Sequence, residues 1–517
     1  MEGVPAGFLE DLKRCFQIVK ENSQDKETRR KALQDADSKI DEVLSTTKSD
    51  SENYFKILSM KASILYEKAK FSLSNNHFQQ SKEYLESSLN LIKEYAENEN
   101  IAFLYLRVVN YLAYILSRLG SLDTAKELLE KVIEEGIKCN PKVYSTEDLF
   151  SNAKIDEETS KLKIDKLMIN NMQMLGWVYG KIGMKDLYAE MQHRCLQKEL
   201  DLNEGDPVQW AMKCYRLASL FLTECKWTSA RYHLTAAQTV LDPLEVGFTP
   251  NSLIYRAQAE LARVWVNYGL HLFSISKKAC LERALNEDSD VIDLEKPHAD
   301  DEDASENLTF NDLEVSLPNV PVKEVVDIHE AKLLFQHTYK WIKRARLYYT
   351  LRDYPIQYVN IVLELSELYR LLAFYENEID TQYNHQKKRF ETLESLSNIL
   401  KEVRPNCYAA VCVELIREII EVQIELMNLN LKKLYNPAEE VQMTENDVKH
   451  RIDAFNKIHS KIENLSAEEN PLSSEAGDID MSNEQSMSEK EEAEVKTYLN
   501  VGENNGKGEM KAEQANT

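Results

Sequence analysis

Through most of the chain, apolar residues return at every third or fourth position, the period of a helix with one buried stripe. Phe8, Leu12, Cys15, Phe16 and Val19 predict a helix over 8–21, and Ala32, Leu33, Ala36, Ile40, Val43 and Leu44 a second over 26–45. A pair of helices follows between Tyr54 and Asn98, parted at Asn75–Asn76. Further pairs cover 101–119 with 122–136, 160–183 with 185–202, and 207–224 with 227–241. A polar loop from about 138 to 157 separates the first two of these pairs. From 251 to 286 the stripe of Leu253, Ala257, Leu261, Val264, Trp265, Tyr268 and Leu272 runs on without an internal turn, which predicts one long helix. Helices resume at 327–351, 355–375, 377–402, 406–434 and 444–464. The joints are short, and Asp206-Pro207 puts Pro at a first helical position, where its missing N–H costs nothing.

Within this pattern one motif recurs. Leu175, Gly176, Tyr179 and Gly183 hold the places of the first helix of a tetratricopeptide (TPR) hairpin. The small residue lets the partner helix approach, Leu175 and Tyr179 share a stripe, and Gly183 supplies the turn. Leu112, Ala113, Leu116 and Gly120 repeat the frame, followed by Ala125 and Leu129 on the second helix. Leu217, Ala218, Phe221 and Cys225 repeat it again, with Ala230, Leu234 and Ala237. A weaker register lies in Ala69, Ser81, Leu85 and Ser88. The expected fold is therefore all-α, a TPR-like solenoid of antiparallel helical hairpins. Its halves span 1–250 and 327–465, joined by a linker helix over 251–286.

Two segments break the pattern. Between 287 and 326 the acids Glu287, Asp288, Asp290, Asp293, Glu295, Asp300, Asp301, Glu302, Asp303 and Glu306 face only Lys296 in their stretch, which predicts an exposed, mobile acidic loop. From 466 to 517, 13 acids stand against four Lys with few large apolar residues, so this stretch is expected to be a disordered acidic tail.

Composition narrows the function. A net charge of −24 disfavours a nucleic-acid or anionic-membrane partner and suits a basic one. The eight cysteines form no CxxC pair and read as core residues of a reducing compartment. No apolar run approaches the length of a membrane span, and the N-terminus has no secretory signal, which predicts a cytoplasmic protein with no membrane insertion.

Catalytic chemistry finds no support. Gly176, Gly180 and Gly183 lie in and at the end of a helix, without the strand a phosphate loop needs. Asp35, Asp37 and Asp41 lack the glycine and closing glutamate of a calcium loop and read as a solvated helix face. The ten His show no metal spacing, so no cofactor, metal or enzymatic activity is expected.

Binding is the remaining role. Counting from the register leucines, the groove-facing positions are Arg107, Asn110, Tyr114, Ser117 and Arg118 in one repeat. The next offers Asn170, Gln173, Trp177, Gly180 and Lys181, and the third Met212, Tyr215, Ser219, Leu222 and Thr223. Asp300, Asp301, Glu302 and Asp303 add an acidic candidate, whereas the basic run Lys387-Lys388-Arg389 reads as a solvated helix face. A TPR adaptor or co-chaperone holding a peptide tail is one reading. Asn110, Asn170 and Lys181 supply a partial version of its carboxylate clamp.

Two stretches carry a more specific resemblance. One is Asp206-Pro-Val-Gln-Trp-Ala with Ala218, Phe221, Ala230-Arg231 and Ala236-Ala237. The other runs from His329-Glu-Ala through Tyr358-Val-Asn-Ile-Val, then Leu368 to Glu376, His385-Gln-Lys-Lys-Arg and Leu393-Glu-Ser-Leu. The chain resembles the KIF-binding protein family over about residues 8–465. The resemblance implies a non-enzymatic, monomeric regulator that binds kinesin motor domains on their microtubule-binding face. The motor is thereby kept off the filament and microtubule-based transport is restrained. Family members continue with helical hairpins beyond the position of Leu465, which implies that this chain lacks the last repeats.

Overall fold

The computed structural model describes residues 7–21, 25–47, 52–99, 101–136, 157–203, 205–244, 252–287, 308–403 and 409–435. Among them all regular structure is helical, and it falls into two compact units that part between Gly205 and Asp206. The expected helix over 444–464 and the expected tail over 466–517 lie outside the described residues, as do positions 288–307.

The first unit contains α1 (Phe8–Glu21), α2 (Lys26–Thr46), α3 (Glu52–Ser74), α4 (Phe78–Ile92), α5 (Ala102–Arg118), α6 (Leu122–Glu135), α7 (Glu157–Ile182) and α8 (Lys185–Leu202). Each helix packs on the next, and α5 also meets α3 and α7. The register residues form the core: Leu112, Ala113, Leu116, Ala125, Leu129, Leu175 and Tyr179 are all buried in one cluster. Close approach is built from small residues. Ser81 and Ser88 of α4 are buried and donate to the carbonyls of Ala69 and Ala62 on α3, at 2.9 and 3.0 Å. Gly183, at φ +88°, turns the chain after α7, and the Met184 N–H closes the turn on the Tyr179 carbonyl at 2.9 Å. Asp37 and Asp41 are not a free helix face. Lys61 of α3 bonds both at 2.6 Å, and Lys68 reaches Asp37 at 2.5 Å. Burial pushes the Asp37 carboxyl up, but these lysines more than offset it and hold the group below the usual carboxylate range.

The second unit contains α9 (Pro207–Thr223), α10 (Trp227–Leu241), α11 (Leu253–Glu287), α12 (Ile328–Tyr348), α13 (Pro355–Tyr375), α14 (Ile379–Val403) and α15 (Ala409–Tyr435). Asp206 caps α9 by accepting from the Val208 N–H at 3.0 Å, with Pro207 in the first turn. The hairpin α9–α10, which the repeat pattern places before residue 250, thus packs in the second unit. The expected linker helix is α11, and it packs on α9, α10, α12 and α13. Its sequence explains this, because Ala257, Leu261, Ala262, Trp265, Val266, Tyr268, Leu272 and Phe273 are buried around more than one side of the helix.

Among the described residues, the seam between α11 and α12 is the tightest helix crossing associated with a glycine. A Cβ on Gly269 would stand 1.8 Å from the Thr338 Oγ1 and 2.8 Å from its Cβ. One turn away Trp265 stacks on Trp341, centroids 5.7 Å apart and planes 12° from parallel. His337 fills the gap beside them, 4.6 Å from the Trp265 ring, and its Nε2 accepts from the Trp341 Nε1–H at 2.9 Å. Burial pushes the His337 imidazole down to about 4, with Lys340 acting in the same direction.

Residues 308–326 correct one expectation. The C-terminal half of the segment expected to be mobile is an extended strap laid over α10 and α11. Phe310, Val320 and Val325 are buried anchors. Phe310 packs on Trp210, Tyr232 and His233, with centroids 5.2, 5.8 and 5.5 Å away. Its N–H donates to the Tyr232 hydroxyl at 2.7 Å. Farther along, Arg231 donates to the Val320 carbonyl at 3.2 Å and Tyr268 to the Pro321 carbonyl at 2.6 Å. The Val325 N–H donates to the Ser276 Oγ at 2.9 Å, and Asp327 then caps α12. The acids upstream hid this strap, whose own residues alternate apolar and polar.

Two tests follow from the seam. Gly269→Ala lowers stability by about 2–3 kcal/mol, because α11 and α12 must separate to admit the methyl group. Urea unfolding measures this, and adding Thr338→Ala restores part of the loss. The second test concerns pH. His337 titrates near its ordinary value when unfolded but near 4 when folded, so the unfolded chain takes up the proton first. Stability from this group is therefore lost as pH falls from about 6.5 to about 4, by up to about 3 kcal/mol. His337→Gln keeps an acceptor for Trp341 and removes the titration, so its urea midpoint falls less than the parent's between those pH values.

Candidate partner-binding surface

In the first unit, the predicted groove residues divide by accessibility. Asn110 and Tyr114 are buried, at 8% and 6% exposure, and act as packing residues; Tyr114 lies 6.3 Å from Tyr111 in an aromatic row. Four others carry cation–π pairs at the surface or near it. The Arg107 guanidinium sits 4.9 Å from the Tyr66 ring, Arg118 5.9 Å from Phe78, and Lys181 5.5 Å from Trp177. Gln173 donates to Glu199 at 3.2 Å, and Asn170 is half-buried. Helices α5 and α7 touch, so the two predicted sets lie on neighbouring helices. Asp300, Asp301, Glu302 and Asp303 lie outside the described residues.

In the second unit the structure brings Tyr215 into a network that its sequence neighbours do not announce. Its hydroxyl, on a side chain that is 3% exposed overall, donates to Glu260 of α11 at 2.6 Å. Burial pushes the phenol up, and the adjacent carboxylate adds to the effect. Ser219 and Thr223 bond their own helix instead, to the carbonyls of Tyr215 at 3.1 Å and Leu220 at 2.7 Å. Helix α11 packs on both α9 and α13, and from Tyr215 of α9 a row of paired charges runs along α11 to α13 and α15. Arg256 meets Glu260 at 2.8 Å, and Arg263 holds both oxygens of Glu364 on α13. Burial pushes the Glu364 carboxyl up, opposed by that guanidinium. Arg370 pairs with Glu367 on its own helix and with Glu421 of α15 at 3.0 Å.

Arg389 completes the row from behind and corrects a second expectation. It belongs to the basic run read as solvated, yet it is fully buried. Its guanidinium donates to Ser366 and Glu418, both at 2.7 Å, and lies 3.5 Å from Glu421. Lys387, two residues earlier, does face solvent, within 4.0 Å of Glu391. The residues missed from sequence are Arg263, Glu364, Arg370, Arg389, Glu418 and Glu421. Only the four- and three-residue steps between Arg256, Glu260 and Arg263 signalled a shared face. Their partners stand up to 101 residues away, and no local pattern links them.

This surface is polar, dense in arginine and braced by carboxylates. Among the described residues no cluster of His, Cys, Asp or Glu is arranged to hold a metal ion, and no helix is long and apolar enough to cross a membrane. Fold and surface together define a protein of packed helical hairpins whose second unit carries a polar, arginine-rich face.

Comparison with known proteins gives the family. The family profile described as "KIF-1 binding protein C terminal" matches residues 208–507, and the chain belongs to this KIF-binding protein family. The match continues past Leu465 into the stretch read as a tail. The KIF-binding protein of Drosophila melanogaster is 23% identical over 353 residues, which are 65% of this chain and 58% of that protein. The Xenopus tropicalis and Mus musculus proteins of the same name are each 23% identical, covering 70% and 75% of this chain and 64% and 67% of their own. The chain thus spans about six-tenths of the length of the first of these relatives. A solved structure titled "Kinesin binding protein (KBP)" superposes with a TM-score of 0.55 at 15% identity, over 96% of this chain and 88% of the other, and it shares the fold.

Arg263→Met tests whether the charge row is held as a unit. It leaves Glu364 buried without its counter-ion and costs about 3 kcal/mol near neutral pH. Because a neutral carboxyl tolerates burial, the loss shrinks near pH 5, and the double variant Arg263→Met/Glu364→Leu recovers most of it. Urea unfolding at the two pH values measures both effects.

Proposed function

We propose that this chain binds kinesin motor domains and keeps them from attaching to microtubules, without catalysis of its own. The observation that carries the reading is the family match over 208–507, whose curated relatives are named KIF-binding protein. Two physical features support it. A chain of net charge −24 is attracted to a basic surface, and a motor's filament-binding face must be basic to hold an acidic microtubule. The α9–α11–α13 charge row offers a partner fixed donors and acceptors on rigid helices. A basic partner that competes with Arg256 for Glu260 or with Arg370 for Glu421 meets a carboxylate already held in place. The protein then acts as a cytoplasmic monomer, associated with the cytoskeleton through its motors and controlling transport along it. The exposed Arg118 and Lys181 of the first unit, the half-buried Trp177 beside Lys181, and the acids Asp300, Asp301, Glu302 and Asp303 extend the proposed contact set.

The peptide-clamp adaptor gains no observation in its favour. Asn110, one of its clamp residues, is buried at 8% exposure, and the clamp loses that amide.

Microtubule co-pelleting of a panel of kinesin motor domains, with and without the purified chain, tests the proposal. The expected result is that some motors leave the pellet and elute with the chain as an equimolar complex. Motors that all stay in the pellet and form no complex in solution would overturn it.

A further inference from the structure

The outer stripe of α12 differs in charge from the acidic chain that contains it. This helix carries Lys332, Lys340, Lys343, Arg344 and Arg346, against Glu330 alone in its first turn. Lys332, Gln336, Lys340, Lys343 and Leu347 recur at intervals of three or four and are all exposed, so they form one line along the helix. Beside that line Phe335 and Tyr339 stack with centroids 5.7 Å apart and planes 9° from parallel. The Lys343 ammonium sits 4.4 Å from the Tyr339 ring. Gln336, Tyr339, Lys340, Lys343, Arg344 and Leu347 line a shallow open groove of about 400 Å³.

Two of the cations already have carboxylates. Arg344 pairs with Asp242 at 2.8 Å and Lys332 with Glu376 at 3.1 Å. Lys340 and Lys343 pair with no carboxylate among the described residues. At the end of the groove Leu347 is 71% exposed, more than any other large apolar side chain described. Two unpaired ammonium groups, a tyrosine face and a bare leucine are complementary to carboxylates interspersed with an apolar side chain. A nucleic acid would also supply anions, but its dense phosphates would be repelled by the rest of a chain at −24.

We propose that the α12 groove docks an acidic peptide segment of a second protein, rich in Glu or Asp and carrying one leucine or aromatic side chain. The carboxylates lie over Lys340 and Lys343, and the apolar side chain covers Leu347 against Tyr339. This docking does not depend on the kinesin reading, which concerns a basic partner.

The test is fluorescence anisotropy of a labelled glutamate-rich peptide with one central leucine, titrated with the full chain. Measurements at about 0.05 M and about 0.3 M salt bracket the range over which exposed charges become screened. Saturable binding at the lower salt is expected, weakening at the higher. Lys340→Glu/Lys343→Glu should weaken it about tenfold or more, since both contacts turn repulsive. Leu347→Ser should weaken it less, and these exposed substitutions leave the circular dichroism spectrum unchanged. A lysine-rich peptide of the same length should not bind, and a short oligothymidylate should not compete. Binding that is absent, or equal in the charge-reversed variant, would overturn the proposal, as would tighter binding of the oligothymidylate. Binding that appears only after the acids from 287 to 306 are changed to serine would overturn it in favour of the chain's own acidic run.

Discussion

Backbone-close contact between Gly269 and Thr338 sets the spacing of α11 and α12, and much of the second unit depends on that spacing. With the helices this near, Trp265 and Trp341 meet face to face and His337 is held uncharged between aromatic rings and a tryptophan N–H. The strap is held beside this seam, its backbone groups met by Tyr268 and Ser276 of α11 and by Arg231 of α10. A thirty-five-residue helix flanked in this way on several sides is a core element. Its length serves the packing of four neighbours, which is a different requirement from spanning a gap.

Charge is distributed with the same economy. Arg263, Arg370 and Arg389 of the second unit are matched to carboxylates on other helices, and Arg389 is removed from water altogether because Ser366, Glu418 and Glu421 surround its guanidinium. Such pairs contribute little net attraction beyond the cost of desolvation, but leaving one member alone is expensive, so they select one arrangement of α13, α14 and α15 over its neighbours. The outer stripe of α12 is the exception, since its central lysines face solvent with aromatic and leucine side chains beside them. An acidic chain therefore presents both a braced polar row and a basic strip within the same group of helices.

Sequence patterning was a sound guide wherever the deciding interaction was local. The register leucines and alanines of all three hairpins are buried as their spacing required, and even the weak register at Ser81 and Ser88 marked two close helix contacts. Side-chain assignments were less secure. Asn110, Tyr114 and Tyr215 occupy positions that geometry assigns to an open groove, yet each is covered by neighbouring helices. Arg389 sat in a run of three cations whose other members gave no sign that one of them was internal. The strap was obscured by the acids that precede it, although Phe310, Val320 and Val325 are apolar and separated by turn-forming residues.

What the sequence by itself determined was the helical period and the hairpin joints, because each depends on residues within a few turns of one another, and the family, because its motifs recur in order along the chain. Tertiary structure alone decided where the compact units part, that α11 is packed by four helices, and which acid each arginine meets. Those outcomes rest on contacts between residues up to about a hundred positions apart, such as Arg263 with Glu364. A one-dimensional pattern carries the face on which a residue lies, but not the residue that will stand opposite it.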